Sequence, residues 1–260
     1  MDNGVIKILF IGDIVGRPGR NAVKKYLPEL KQAHCLDYVF ANIENLASGK
    51  GVTYAKYLEM LDCGIDYFTS GNHIWNNKDI IPYMERGKVK ILRPYNYQVG
   101  SVGVGYVELD DLMLLNLQGR VFMPDEVSDP FTSALNVINN SSKPVVIDFH
   151  AEATSEKIAL GYYLDGKVSA LLGTHTHVQT ADEKILTKGL AYISDIGMVG
   201  PYDSVLGVKK EIIIEKFLTQ QPKSHKVASG DTIFNAILIT INKSTKTATE
   251  IKRINQLIKN

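Results

Sequence analysis

The sequence predicts an α/β fold with a partly antiparallel second sheet. Two observations carry that reading. In the front half, short apolar runs alternate with amphipathic stretches, as in strand–helix units with parallel pairing and right-handed crossovers. In the middle and near the end, paired apolar runs meet across polar turns, as in antiparallel hairpins. The 260 residues are 45 % hydrophobic and 22 % charged, ample for a full core. The formal charge of +1 gives no whole-chain pull toward nucleic acid or anionic lipid.

The first apolar run, "VIKILFIGD" (5–13), reads as a buried strand, and 19–33 as a helix that Pro28 is expected to kink or split. "DYVFANIEN" (37–45) is the next strand, and 53–64 is a helix with Thr53 as N-cap and Gly64 as stop. "DYFTSGNH" (66–73) is a third strand, and "NNKDIIPYMERG" a short helix. Segment 104–119 reads as two strands joined by an Asp-Asp turn, before a helix at 132–140. A strand at 143–152, a helix at 154–164 and the strand "VSALLGTH" follow. "FNAILITINKSTKTATEIKRI" reads as a hairpin turning at Asn242–Lys246. No repeat or linker-like stretch divides the chain, so residues 1–260 are read as one domain.

The opening "MDNGVIKILFIGDIVG" makes a poor signal peptide, because residue 2 is acidic and Lys7 and Asp13 break its apolar run. No stretch approaches the ~20 apolar residues of a membrane span. Cys35 and Cys63 form no CxxC pattern. They are expected to be buried free thiols in a reducing cytoplasm, which excludes zinc–thiolate structure.

The chemistry collects where the strands end. Asp13 follows the first strand, Glu44 and Asn45 the second, and Asn72 and His73 the third. Later strands deliver His150, then His175 and His177 in "GTHTH". One Asp or Asn after one strand is more often a turn or cap residue, and one His in an apolar strand more often a hydrogen-bonded core residue. Joint placement at five strand ends favours a site, since open α/β sheets bind ligands beyond the carboxyl ends of their strands. His34 and His225 sit in polar contexts and read as surface residues. If the "GTHTH" segment is extended, His175 and His177 point to the same side.

Oxygen and nitrogen donors without thiolate suit Mn, Fe, Zn, Ni or Co, and six or seven ligands are too many for one ion with an open position. Two ions about 3.5–4 Å apart, sharing a bridging carboxylate, would use them all.

The collinear motifs "GDIVG", "IENLASGKG", "GNHIW", "DFHAEATSEK", "GTHTHVQTAD" and "SDIGMVGP" resemble the calcineurin-like metallophosphoesterases, and within them the YmdB-like branch of bacterial phosphodiesterases. The match runs from Ile8 to about Gly207. The broad superfamily opens with Asp-x-His, whereas residue 15 here is Val, and its usual bridging Asp motif is replaced by "IENLASGKG". The resemblance implies a mixed two-sheet α/β sandwich with flanking helices. It implies that Asp13, Glu44, Asn45 and His177 hold one metal, and Glu44, Asn72, His150 and His175 the other. His73 would protonate the leaving alkoxide or position the phosphate. Two iron or manganese ions, with Zn, Ni or Co as alternatives, are then the expected cofactors. The implied substrates are cyclic nucleotides (2′,3′- or 3′,5′-cyclic) and related phosphodiesters. A homo-oligomer and a link to RNA turnover come with the branch.

Other features read modestly. The P-loop spacing is missing around Gly49 and Gly51, which read as turn residues. Trp75 stacks on a base or packs in the core, and Asp195 has no assigned role. Lys50 and Lys78 are the cations nearest the motifs, which contain no arginine. A phosphomonoesterase of the 5′-nucleotidase kind and a metal-stabilised RNA- or protein-binding module remain the alternatives.

Overall fold

A computed structural model describes residues 4–259. The chain runs β1 (Val5–Ile11), β2 (Asp13–Ile14), α1 (Gly16–His34), β3 (Tyr38–Asn42), α2 (Tyr54–Leu61) and β4 (Tyr67–Thr69), then a 3-10 turn at Lys78–Ile80 leading into α3 (Ile81–Glu85). Next come β5 (Tyr106–Glu108), β6 (Met113–Gln118), α4 (Pro130–Ile138), β7 (Val145–His150), α5 (Thr154–Leu164) and β8 (Ala170–Thr174). The remainder is β9 (Lys184–Ile185), β10 (Ala191–Ile193), β11 (Met198–Pro201), α6 (Lys210–Thr219), β12 (Thr232–Asn242) and β13 (Ala248–Ile258).

Among the described residues the strands form two sheets. One holds seven strands in the order β2-β11-β12-β1-β3-β4, with β13 also paired to β12, and the second runs β5-β6-β7-β8-β10-β9. The alternation read from the front half gives the parallel set β1-β3-β4. The late hairpin joins the same sheet, β12 lying antiparallel to β1 over Ile11↔Ala236 to Val5↔Asn242. In the second sheet the expected Asp-Asp turn joins antiparallel β5 and β6, whereas β6, β7, β8 and β10 are parallel.

Three apolar layers follow. Ile8, Phe10 and Phe40 of the first sheet meet Leu114, Val146 and Leu172 of the second. The alternate residues Leu9 and Ile11 pack on the other side, with Val23 and Leu27 of α1. Leu115, Ile147 and Phe149 bury the outer face of the second sheet with Leu160 and Leu164 of α5. Central strands buried on both faces explain why these runs are apolar without alternation.

Several expectations need correction. The first strand stops at Ile11. At Gly12 the chain leaves β12, and β11 takes its place beside Phe234. Pro28 does not split α1, which is continuous from Gly16 to His34. Helix α4 begins at Pro130 because Asp129 accepts hydrogen bonds from the Phe131 and Thr132 amides, an N-cap followed by proline at N1. Cys35 is exposed, not buried, because it closes α1 in a left-handed conformation (φ 50°). Cys63 is half-buried and its thiol donates to the Glu59 carbonyl. No helix among the described residues is long and apolar enough to cross a membrane.

Candidate metal centre

The break at Gly12 places Asp13. A side chain at Gly12 would put its Cβ 2.0 Å from the Gly197 carbonyl oxygen, so only glycine permits this crossing. The Asp13 amide then donates to that same carbonyl, and its carboxylate is fully buried. Glu44 and Asn45 follow β3, and Asn72 and His73 follow β4 across Gly71, where a Cβ would stand 2.1 Å from the His150 ring and 2.5 Å from Glu44 Oε2. His150 ends β7, in register with Thr174 at the end of β8.

His175 and His177 lie beyond β8 and are not extended. Their φ values are 101° and 64°, left-handed conformations that cost a non-glycine residue ~1–3 kcal/mol each. The expectation of two rings on one side of a strand therefore fails. The rings instead diverge from a tight loop, which still brings both into the same centre.

All eight predicted residues converge. Glu44, His150 and His175 offer ligand atoms within 4.8 Å of one another. His150 Nε2 stands 3.2 Å from Glu44 Oε1, 3.0 Å from His175 Nδ1 and 3.3 Å from Asn72 Oδ1. On the other side, His177 Nε2 is 3.2 Å from Asn45 Nδ2 and 3.9 Å from Asp13 Oδ1. His73 sits between, donating its amide to Glu44 Oε2 at 3.0 Å, with Nδ1 3.2 Å from Glu44 Oε1.

A surrounding layer orients these rings. Thr174 Oγ1 donates to Asp148 Oδ1 at 2.7 Å and lies 2.9 Å from His150 Nδ1, so His150 gives its Nδ1 proton to that hydroxyl and turns Nε2 inward. Buried Asp148 also accepts from Thr69 and Asn42. His177 Nδ1 faces the Leu206 carbonyl at 3.1 Å, and His175 Nε2 faces Glu152 at 3.1 Å. Each imidazole thus has one nitrogen engaged outward and the other directed into the centre, the arrangement typical of metal-bound histidine.

The electrostatics agree. Burial raises the Asp13 carboxyl well above its ordinary pKa, with His150 opposing and neighbouring carboxylates adding. Burial also acts on Glu44, but His150 and His73 at 3.2 Å outweigh it and hold that carboxyl well below its ordinary value. Against its own burial, Glu44, Asp13 and Asp148 lift the His150 imidazole to about 9. Burial and then the His150 charge push His175 down to about 3. Asp13 Oδ1 is buried with no hydrogen-bond partner, a costly state for a polar oxygen, and a cation facing it would both satisfy it and restore the charged form that burial disfavours. The donor set of carboxylate, carboxamide and imidazole fits divalent transition metals.

Sequence reasoning missed Lys157 and the role of Asp195. Lys157 is wholly buried on α5 and donates to Asp195 Oδ2 at 2.8 Å and to the Thr174 carbonyl at 2.9 Å. Asp195 also accepts from the Thr176 amide at 3.0 Å and the Gly197 amide at 2.8 Å. This pair clamps the His175–His177 loop to the strand-end segment before β11. The available signal was spacing, since Lys157 shares the buried face of α5 with Leu160, Gly161 and Leu164. Trp75 packs partly buried against the core, edge-on to Tyr97 at 4.8 Å.

A family model described as YmdB-like protein matches residues 9–254. The chain is 47 % identical over 256 residues to a 2′,3′-cyclic-nucleotide 2′-phosphodiesterase of Bacillus subtilis (strain 168), covering 96 % of each. A crystal structure described as a novel phosphatase from Mycoplasma pneumoniae matches with TM-score 0.93 and 33 % identity, over 98 % of this chain and 95 % of that one. A hypothetical protein from Thermus thermophilus matches with TM-score 0.90 and 36 % identity, over 97 % of this chain and 100 % of that one. The chain belongs to the YmdB-like protein family.

Proposed function

We propose that the protein is a metal-dependent phosphodiesterase that hydrolyses cyclic nucleotides at this centre. Two ions, iron or manganese first and zinc, nickel or cobalt as alternatives, would be held by Asp13, Glu44, Asn45 and His177 on one side and Glu44, Asn72, His150 and His175 on the other. The observation that carries the reading is the buried, unpartnered Asp13 Oδ1 facing His177, within a set of imidazoles that each turn one nitrogen inward. Bound there, such ions supply an activated water near neutral pH and neutralise charge on a phosphoryl group.

The chain's own groups do the rest. Glu44 is reached from both sets of donors and is the residue suited to bridge them. Asn72 and Asn45 orient polar atoms without adding negative charge. His73 is 23 % exposed and keeps Nδ1 beside Glu44, while its Nε2 has no hydrogen-bond partner among the described residues. That nitrogen is the one to hand a proton to the leaving alkoxide. Among the described residues no arginine stands in the centre, and a site with little extra positive charge favours a singly charged diester over a dianionic monoester. The diester activity of the Bacillus subtilis relative supports the same direction.

The test is metal analysis of purified protein paired with a substrate panel. Cyclic nucleotides and bis-p-nitrophenyl phosphate are expected to show higher kcat/KM than 5′-AMP or p-nitrophenyl phosphate under Mn²⁺. The reverse order supports a phosphomonoesterase. No turnover of either class by fully metallated protein supports a binding module.

A further inference from the structure

A cleft of about 750 Å³ opens beside the metal centre, within the ~300–1,000 Å³ typical of small-molecule sites. Its wall includes His177, and the 48–50 turn that follows Glu44 and Asn45 forms another side. Opposite stand α6 and the 220–227 segment after it. Leu206, Val227 and Phe217 give the cleft apolar surface, and Phe217 is 74 % exposed.

The same wall carries Lys50, Lys216, Lys223 and His225. Glu215 pairs with Lys223. Among the described residues Lys50 and Lys216 have no ion-pair partner, although both face the cleft. Burial, then Lys216 and Lys50, hold the His225 imidazole below its ordinary pKa, so these groups share one region and His225 is neutral at pH 7. Two cations are therefore surplus, outside the centre itself.

A cyclic mononucleotide does not account for that surplus. Its single negative charge lies on the scissile diester, at the metal centre. We propose that this cleft receives the nucleoside of the substrate together with a second phosphate on its 5′ side, held by Lys50 and Lys216. The inference rests on the cyclic-nucleotide reading above and narrows its substrate class to nucleotides that carry a 5′-phosphoryl group, terminal or bridging. In a 2′,3′-cyclic nucleotide the 5′ position points away from the reacting ring, so a phosphate there is the one free to reach beyond the centre. The exposed Phe217 ring offers a stacking face for the base, a contact tolerant of base identity.

The experiment compares adenosine 2′,3′-cyclic phosphate with its 5′-phosphorylated form on metal-loaded wild type and on the K50Q/K216Q variant. Two partly exposed lysine–phosphate contacts correspond to roughly ten-fold in kcat/KM, expressed mainly in KM and weakened by salt. The variant should lose that preference while turning over bis-p-nitrophenyl phosphate like wild type. Calorimetric binding of adenosine 3′,5′-bisphosphate against adenosine 3′-monophosphate reads the same preference without turnover. Equal kcat/KM for the two substrates in wild type, or an undiminished preference in the variant, overturns the proposal and leaves the phosphodiesterase reading intact. If no diester is turned over, the phosphodiesterase reading fails. The calorimetric preference, and its loss in the variant, then decides the cleft alone.

Discussion

Lys157→Met removes one charge from a wholly buried pair and keeps most of the side chain's volume. The two side chains are 0 % and 1 % exposed, with Nζ 2.8 Å from Asp195 Oδ2. Methionine preserves most of the packing, so the loss is chiefly electrostatic. Removing one partner of a buried pair costs ~3–5 kcal/mol, because the other is left as an uncompensated charge. Asp195 keeps the amides of Thr176 and Gly197 as donors, which sets the expectation at the low end, about 3 kcal/mol. The Thr174 carbonyl loses its ammonium donor at the same time, so the His175–His177 loop loosens and metal content falls with stability. The assay is guanidinium unfolding of metal-loaded protein, read as a change in midpoint at constant slope, alongside metal analysis. Adding Asp195→Asn removes the stranded charge and should recover at least half of the loss, a coupling that identifies the pair as the cause. A single-variant cost below ~1 kcal/mol, or a double variant no better than the single, refutes the reasoning.

Glu44→Gln should lose at least one metal and most activity yet keep the circular dichroism of the folded chain, since the residue lies beyond β3 and outside the apolar clusters; full occupancy and turnover would remove it from the centre. His73→Ala should retain two metals and lose roughly 10²–10⁴ in kcat with a poor leaving group, but less with p-nitrophenolate; metal loss would make His73 a ligand. Gly71→Ala forces a Cβ to within 2.1 Å of the His150 ring, so metal affinity and activity should fall, whereas an unchanged metal stoichiometry and kcat would show that the backbone yields there. After chelation, stability should decline on both sides of about pH 6.5, the ordinary histidine pKa. The His150 contribution is full below that value and is lost as pH rises through about 9. The His175 contribution is present above it and is lost as pH falls toward about 3. A flat unfolding midpoint from pH 5 to 9 in the chelated protein would contradict both.

The candidate centre is legible in the sequence because each of its residues is a polar interruption at the end of an apolar run, and parallel strands collect such interruptions on one rim. Glu44, Asn45, Asn72, His73 and His150 need only that rule. His175 and His177 follow from it too, although for the wrong local reason. Their spacing suggests an extended segment, but both residues adopt left-handed conformations beyond β8. Backbone handedness at a non-glycine residue has no local sequence signature, because the surroundings impose it.

The residues that sequence reasoning misses act across long separations in the chain. Asp195 has no role legible in the sequence because its partner, Lys157, lies 38 positions earlier on α5, where a lysine reads as solvent-facing. The contradiction with the apolar positions Leu160 and Leu164 of the same face becomes visible only once the burial of that face is assumed. Asp148 reads as part of an apolar strand. It proves to be the acceptor for Thr69 and Thr174, whose position beside His150 depends on the register of β7 against β8. Candidate ligands in this fold are thus recognisable from residue type and strand ends. The groups that aim them depend on strand order and register: Asp148 and Thr174 on β7 against β8, and Asp13 on β11 taking the place of β1 beside β12 at Gly12. That crossing requires glycine, so Gly12→Ala should disturb Asp13, and with it the metal centre, although residue 12 itself has no side chain to offer. Wild-type metal affinity in that variant would show that Asp13 is positioned by its own packing and owes nothing to the crossing.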